Sequence, residues 1–484
     1  MLVGDAEVLA RLSLPSSVSG TADAYGLHPG VLDGALQASA GLDADTLRES
    51  GNVYLPFALD AVELFNETSG SVVWALVRHG DGSGTDAQER RLDIDLLTEQ
   101  GELVVRLNGF ASRRFEQTGN HAAPEVQAEP ASSLLLTPHW EELSASDAVA
   151  AEWSGRSIVV CPGIESTVSI DDATVVSLEA GSEESRNYRD AVDAVLSEAK
   201  SLSARKSGKS LLQVLVPSDG VYAGLGALLR TVSQEQPMIA GQLIMADEPD
   251  ISCEAVLTQA ASYPQESVVR LHDGMLQTQR WEEVSDVSAE SAVPWREGGI
   301  YLISGGAGGL GRLLALEMAR DAAGATLILS GRSKAGESVE ALLSALENQG
   351  VQAVYRPSDL SDAGSVQELI DWIVVNHGEL NGIVHAAGVQ RDGLIATQSE
   401  EDIAAVLSPK VSGLLNLDAA TASQPLDFML LYGSVAGVLG NVGQSAYAAA
   451  NGYLGAYAER RNASVAAGRH PCDQRSAGIT LGLA

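Results

Sequence analysis

Tyr447 stands in GQSAYAAANGYLGAYAERR, thirteen residues after Ser434, which ends the apolar segment LDFMLLYGS. A phenol on a helix and a hydroxyl at a strand end suit the reduction of a carbonyl. The carbonyl oxygen gains negative charge as hydride arrives, so it needs hydrogen-bond donors and then a proton. A tyrosine at its reference pKa near 10 is a poor acid or base at neutral pH, and a cation beside it lowers that value. The Ala-rich run around Tyr447 reads as helix, and Asn451, four residues on, shares its face. Taken singly, such residues are a capping Ser and a half-buried Tyr.

A hydride needs a source, and a nucleotide turn lies upstream. Tyr301-Leu-Ile-Ser-Gly-Gly-Ala-Gly-Gly-Leu-Gly-Arg312 reads as strand, glycine turn and helix start. Gly306, Gly308 and Gly311 fit G-x-G-x-x-G, with Gly305, Gly309 and Leu310 completing the turn. Small residues let the backbone approach a pyrophosphate, which the helix N-terminus stabilises; the plain alternative is a structural glycine turn. After the next strand, ATLILSGRS, an NAD protein usually carries an acidic residue for the ribose 2′-hydroxyl. Here Arg332 and Ser333 stand there instead. A guanidinium fork suits a 2′-phosphate, so NADPH is favoured over NADH, unless Arg332 is only a solvated surface residue. Asp359, in RPSDLSD, contacts the adenine amine or caps a helix. Leu360 beside it, and Ala386, Ala387 and Gly388 at the end of LNGIVHAAG, complete the expected cofactor wall.

These groups must be held by a larger scaffold. At 484 residues the chain has room for two to four domains. A formal charge of −34 argues against nucleic acid or an anionic membrane as partner. No run approaches the 18 apolar residues of a membrane span, and MLVGDAEVLARLSLP lacks the pattern of a secretory signal. Cys161, Cys253 and Cys472 are widely spaced, outside any metal-ligand pattern, and read as buried thiols of a cytoplasmic protein. Polar EQTGNHAAPEVQAEPASS marks a linker at 116–133, and an acidic, Ser-rich break lies around Glu283 to Pro294. The resulting blocks are 1–115, 134–289 and 290–484. The first has one amphipathic helix from His28 to Ala40, followed by strand-like segments, and reads as α+β. In the other two, continuous apolar strands alternate with helices, which implies a parallel sheet covered on both faces, formed twice.

The third block resembles the short-chain dehydrogenase/reductase family, with one departure. That family keeps a Lys four residues after the Tyr, whereas this sequence has Asn451 there and Lys410, in LSPKVSGLLNL, where an Asn is usual. The exchange is similar to the ketoreductases of modular polyketide synthases. The resemblance implies that Tyr447 donates the proton, that Ser434 holds the carbonyl, and that Lys410 tunes Tyr447 and binds the ribose. Asn451 would orient Lys410 or a water. The central block, with His139-Trp140, GALLRTVSQEQP at 226–237 and VVRLHDGMLQTQRW at 268–281, resembles the degenerate structural half of such an enzyme. Pro162 stands where its glycine turn would be, so this half is expected to brace the catalytic one as a second, Rossmann-like doubly wound subdomain.

LHPGVLDGALQA at 27–38 and YLPFALDAVELF at 54–65 are similar to the second half of a polyketide dehydratase, a double hotdog. In that family an Asp in HPxxxDxxxQ removes water together with a His from the first half. Asp33 and Gln37 match the Asp and Gln, while His28 is expected to pack at the helix start. With one partner missing, this acid–base pair should not turn over, and the half hotdog leaves an apolar face for self-association or docking. The resemblance thus implies NADPH-dependent reduction of a β-ketoacyl chain on an acyl carrier protein, beside neighbouring synthase domains. Its rivals are a free-standing ketone reductase and an inactive scaffold. In HAAGVQRDG, Asp392 keeps the last member of a Leu-Asp-Asp motif that accompanies one entry route for the chain. Leu439 replaces the Trp that accompanies the other, so a D-configured (B-type) hydroxyl is expected. GITLGLA ends about where a substrate lid would begin.

Overall fold

In the computed structural model, the described residues are 1–4, 7–14, 25, 27–42, 53–65, 74–80, 89–115, 135–149, 152–164, 167–205, 208–218, 220–246, 252–284, 294–467 and 477–481. The proposed linker 116–133, most of the acidic break after Glu283, and Cys472 lie outside them. The chain divides into two compact units, Met1–Ser132 and Ser133–Ala484.

In the first unit, strands β1 (Leu2–Val3) and β2 (Glu7–Arg11) precede helix α1 (Pro29–Ala38). Five strands follow: β3 (Val53–Ala58), β4 (Ala61–Leu64), β5 (Trp74–His79), β6 (Glu89–Leu97) and β7 (Leu103–Phe115). They form one antiparallel sheet in the order β1-β2-β5-β6-β7-β3, with β4 also paired to β7. Alternation sets the buried face: Ala75 and Val77 on β5, and Leu92, Ile94 and Leu96 on β6. Val31, Ala35 and Ala38, at helical spacing on α1, close over it. His28 sits at the helix start, where it was expected to pack, and caps α1 by accepting from the Gly30 amide through Nδ1. Phe57, Val62, Leu64 and Phe65 are exposed along the edge strand.

The second unit holds two sheets. The first is built from β8 (Leu136–Glu142), β9 (Gly155–Val160), β10 (Ala173–Ser177), β11 (Ser210–Pro217), β12 (Ile239–Ala246), β13 (Val268–His272) and β14 (Met275–Glu283). Its helices are α2 (Glu184–Ser203), α3 (Leu225–Glu235) and α4 (Cys253–Ala260). The order is β10-β9-β11-β12-β13-β14-β8, parallel as far as β13. The last two strands are antiparallel, because the two-residue Asp273-Gly274 turn folds β14 straight back on β13 and β8 then pairs with β14. Cys161 is buried, which pushes its thiol up to about 12, whereas Cys253, expected to be buried, is only half so.

The second sheet comprises β15 (Ile300–Ser304), β16 (Thr326–Gly331), β17 (Gln352–Pro357), β18 (Gly382–His385), β19 (Phe428–Tyr432) and β20 (Ala477–Leu481). The helices between them are α5 (Gly309–Asp321), α6 (Glu337–Glu347), α7 (Ala363–His377), α8 (Glu400–Lys410), α9 (Ser412–Ala420), α10 (Ala436–Leu439) and α11 (Ser445–Ala466). The sheet is wholly parallel, in the order β17-β16-β15-β18-β19-β20. Counted within the sheet this is 3-2-1-4-5-6, the dinucleotide-binding arrangement, whose ligand crevice opens where the order reverses between β15 and β18.

A common core joins the two sheets. Tyr188 and Leu196 of α2 and Leu225 and Leu228 of α3 pack in one cluster with Ala449, Tyr453 and Tyr457 of α11. At Gly224 and Gly452 the two backbones touch: a Cβ on Gly452 would lie 2.3 Å from the Gly224 oxygen. Tyr188 donates to the Ala449 carbonyl (2.9 Å), and Glu184 receives Arg460 on both oxygens (2.8 Å each) and the Tyr453 hydroxyl (2.7 Å). Helices of the first sheet thus pack on and bond to the long helix of the second.

Candidate active site

The glycine turn joins β15 to α5. Gly305 takes φ +69°, and a Cβ there would lie 2.7 Å from the Ala387 amide, so the turn and the end of β18 approach too closely for any side chain. A Cβ on Gly311 would meet the Gly305 oxygen at 2.4 Å, which seats α5 directly against the turn. Beside it lies a cleft of about 600 Å³ along the carboxyl ends of β15 to β18. Gly305, Gly308, Arg332, Ser333, Asp359, Leu360, Ala386, Ala387 and Gly388 line it, so these expected cofactor residues face one space. Gly306, Gly309, Leu310 and Gly311 belong to the turn and helix start behind that wall.

Two further cleft residues were not anticipated. Lys334 sits in the same GRSK run as Arg332 and doubles the local positive charge. Tyr355 donates to the Ser333 carbonyl (2.7 Å) and fixes the loop that bears both cations. Asp359 is not a helix cap; Asp362 caps α7 by accepting from Ser365 (2.6 Å), while Asp359 accepts from the Ser361 amide (3.0 Å) within its own turn.

Lys410 ends α8, where Pro409 interrupts the helix before α9. Only 4% exposed, it runs between Gly388, where a Cβ would stand 3.1 Å from its Cε, and the Tyr432 carbonyl, to which Nζ donates at 2.8 Å. Burial lowers its pKa to about 8. The adjacent His385 is buried in the sheet, its Nδ1 2.8 Å from the Ser304 hydroxyl. Burial, and secondarily the Lys410 charge, lowers it to about 3, so it is neutral at physiological pH. Lys410 thus occupies the carboxyl ends of β18 and β19, and its acceptor Tyr432 stands two residues before Ser434.

Ser434 is half-buried and turns its hydroxyl to the Ala436 amide (3.2 Å), which begins α10. Tyr447 is half-buried on the first turn of α11. Asn451 donates through Nδ2 to the Tyr447 carbonyl at 2.7 Å, one turn back on the same helix. Its Oδ1 is buried and, like Ser330 Oγ and His385 Nε2, has no partner among the described residues. Orphaned polar atoms are costly in a protein interior. Ser330 lines the cleft, beside glycines that leave the backbone open, and the combination fits a polar dinucleotide. Asp392 accepts from Gln444 Nε2 (3.0 Å), three residues before Tyr447, and the cap of α8 is Ser399. Leu439 is exposed at the end of α10.

On the first unit, Asp33 and Gln37 share the exposed face of α1, with Gln37 Nε2 donating to Asp33 Oδ2 at 2.7 Å.

A six-stranded 3-2-1-4-5-6 sheet with a glycine turn, a cleft at its switch point, Ser434 just past a strand end, and Tyr447 and the buried Lys410 on flanking helices defines the short-chain dehydrogenase/reductase class, whose members use a nicotinamide cofactor. Residues 299–468 match the family model described as the KR domain, and residues 1–122 that of the polyketide synthase dehydratase N-terminal domain. The structure of a ketoreductase domain from the bacillaene assembly line superposes with a TM-score of 0.65 at 33% identity, covering 72% of this chain and 85% of that one. The polyketide synthases PksL and PksN of Bacillus subtilis (strain 168) are each 36% identical, over 96% and 95% of this chain. The chain spans about a tenth of the length of these curated relatives (10% and 9%). It belongs to the ketoreductase family of polyketide synthases and carries a dehydratase-family block ahead of the reductase. Among the described residues, no helix is long and apolar enough to cross a membrane.

Proposed function

We propose that this chain reduces a β-ketoacyl thioester, carried on an acyl carrier protein of the same synthase, to the β-hydroxyacyl thioester, with NADPH as reductant. The observation that carries the reading is the buried Lys410 between Gly388 and the Tyr432 carbonyl. A lysine held at a cost among strand ends, beside a cleft lined by Arg332, needs a functional reason. The turn from Gly305 to Gly311 would hold the pyrophosphate, Arg332 and Lys334 the 2′-phosphate, Ala386 to Gly388 the nicotinamide side, and Lys410 the ribose. Bound there, the cofactor supplies hydride. Ser434 donates a hydrogen bond to the substrate carbonyl, Tyr447 delivers the proton to the resulting oxygen, and Lys410 brings a positive charge to the strand end that leads to Ser434.

Asp392 marks the entry route, and the product is the D-configured β-hydroxyl (3R in simple chains). We read the first block as the second hotdog of a dehydratase, from HPGVLDGALQ, and as structural, because Asp33 lies on the exposed face of α1 with its carboxylate held by Gln37. NADPH oxidation with a diketide thioester, followed by chiral chromatography, tests both the reaction and its face. No ketone-dependent oxidation rejects the reductase; a predominantly L-hydroxyl product rejects the route.

A further inference from the structure

Helix α3 belongs to the sheet without a glycine turn, yet four side chains of its last two turns bond to α10 and the loops of the other sheet. Arg230 donates to the Val438 carbonyl and Gln234 to the Leu439 carbonyl (2.9 Å), while the Thr231 hydroxyl accepts from the Asn441 amide (3.1 Å). Glu235, the last residue of the helix, spans two loops. Its Oε1 accepts from the Gly443 amide at 2.9 Å and its Oε2 from the Ile395 amide at 2.8 Å. Gly443 lies four residues before Tyr447, and Ile395 three after Asp392. The two loops also meet directly: Gly393 donates to the Gly443 carbonyl (2.8 Å) and Gln444 to Asp392 (3.0 Å).

Two N–H donors aimed at two oxygens of one side chain call for a carboxylate, because a glutamine offers one acceptor and turns its own NH₂ toward the second donor. We propose that Glu235 is a positioning residue that sets, from the non-catalytic sheet, the gap between the Asp392 loop and the start of the Tyr447 helix. On the reductase reading, the acyl chain reaches Ser434 and Tyr447 past these loops, which lie three and four residues from Asp392 and Tyr447, so their spacing governs substrate fit and which face of the carbonyl is presented. Neither loop lines the cofactor cleft beyond Val389, so cofactor affinity is left alone. The inference rests on the reductase reading above.

The test compares the parent, Glu235→Gln and Glu235→Asp in four measurements: NADPH affinity by fluorescence, steady-state kinetics with a diketide N-acetylcysteamine thioester, product diastereomer ratio, and amide exchange at Gly443 and Ile395. In the parent both amides exchange slowly. In Glu235→Gln one of them is released, KM for the thioester rises about tenfold, the minor diastereomer gains about tenfold, and NADPH affinity stays within twofold. Glu235→Asp keeps the charge with a shorter reach and falls between. A parent whose two amides exchange at open-loop rates overturns the proposal even if the variants do not fold. So does an unchanged KM and product ratio in Glu235→Gln, or a loss shared equally by NADPH binding. A parent that reduces no ketone refutes the reductase reading itself, and the positioning role with it.

Discussion

Replacing Lys410 with methionine separates what the fold needs from what the chemistry needs. Methionine matches the length and flexibility of the stem and removes only the charge and its hydrogen bond. Burial lowers the folded lysine from its ordinary 10.5 to about 8. At about 1.4 kcal/mol per pKa unit, keeping the ammonium inside costs the folded state roughly 3 kcal/mol. Against this stands one charge-assisted bond to the Tyr432 carbonyl, of order 1.5 to 3 kcal/mol. The variant should therefore be about as stable as the parent at pH 7, and the two should diverge with pH. Below about 8 the lysine is protonated in both the folded and the unfolded chain, and the full penalty applies. Between about 8 and 10.5 the folded lysine is neutral while the unfolded one still binds its proton, so the parent gains stability as pH rises. Urea unfolding of both proteins from pH 7 to pH 10 should show the parent gaining roughly 2 to 3 kcal/mol on the variant. At pH 7 turnover should fall at least about a hundredfold. Parallel stability curves would refute the buried-ammonium argument. A variant that keeps most of its activity would refute the catalytic one.

Tyr447→Phe should leave NADPH affinity within about twofold and cut turnover at least about a hundredfold, since it removes only the proton donor; single-turnover absorbance at 340 nm decides it. Arg332→Ala should raise KM for NADPH about tenfold or more and leave KM for NADH unchanged, because the substitution removes one charge-assisted hydrogen bond to the 2′-phosphate. Equal specificity constants for the two cofactors in the parent would defeat the 2′-phosphate assignment. The chain should not dehydrate a β-hydroxyacyl thioester, and an enoyl product that disappears in Asp33→Ala, seen by mass spectrometry, would overturn the structural reading of the first block.

What could be read from the sequence was whatever chemistry is local in the chain. The strand–turn–helix from Tyr301 to Arg312 is contiguous, so glycine spacing alone announced both the turn and the helix behind it. Tyr447 and Asn451 lie one turn apart on a helix that Ala content made plain. Lys410 was legible only through resemblance, because its partners Gly388 and Tyr432 are 22 residues away on either side, with no pattern linking them. Glu235 left no signal, since its partners are 160 and 208 residues distant. The reversal at β13 was hidden for a different reason: VVRLHDGMLQTQRW carries a good hairpin turn, but the apolar strands before it favoured a purely parallel sheet.

The retention of a sheet without a nucleotide site follows from the helix that bears Tyr447. The first two turns of α11, which carry Tyr447, bury mostly Ala446, Ala448, Ala449, Ala450 and Gly452, side chains that bury little area each, while its large anchors Tyr453, Leu454 and Tyr457 come later in the helix. Small residues instead allow close approach, and the Gly224–Gly452 contact uses it to bring a second backbone against the helix. Directional bonds then set its position along its axis: Tyr188 to the Ala449 carbonyl, Glu184 to Tyr453 and Arg460, and Asp418 to Tyr457 and Arg461. Positional error at a proton donor costs rate steeply, and a helix held from both sides has less freedom to wander than one packed on a single sheet. On the proposed reading, the first sheet, β8 to β14, serves the tyrosine and not the cofactor, and so has no use for a glycine turn.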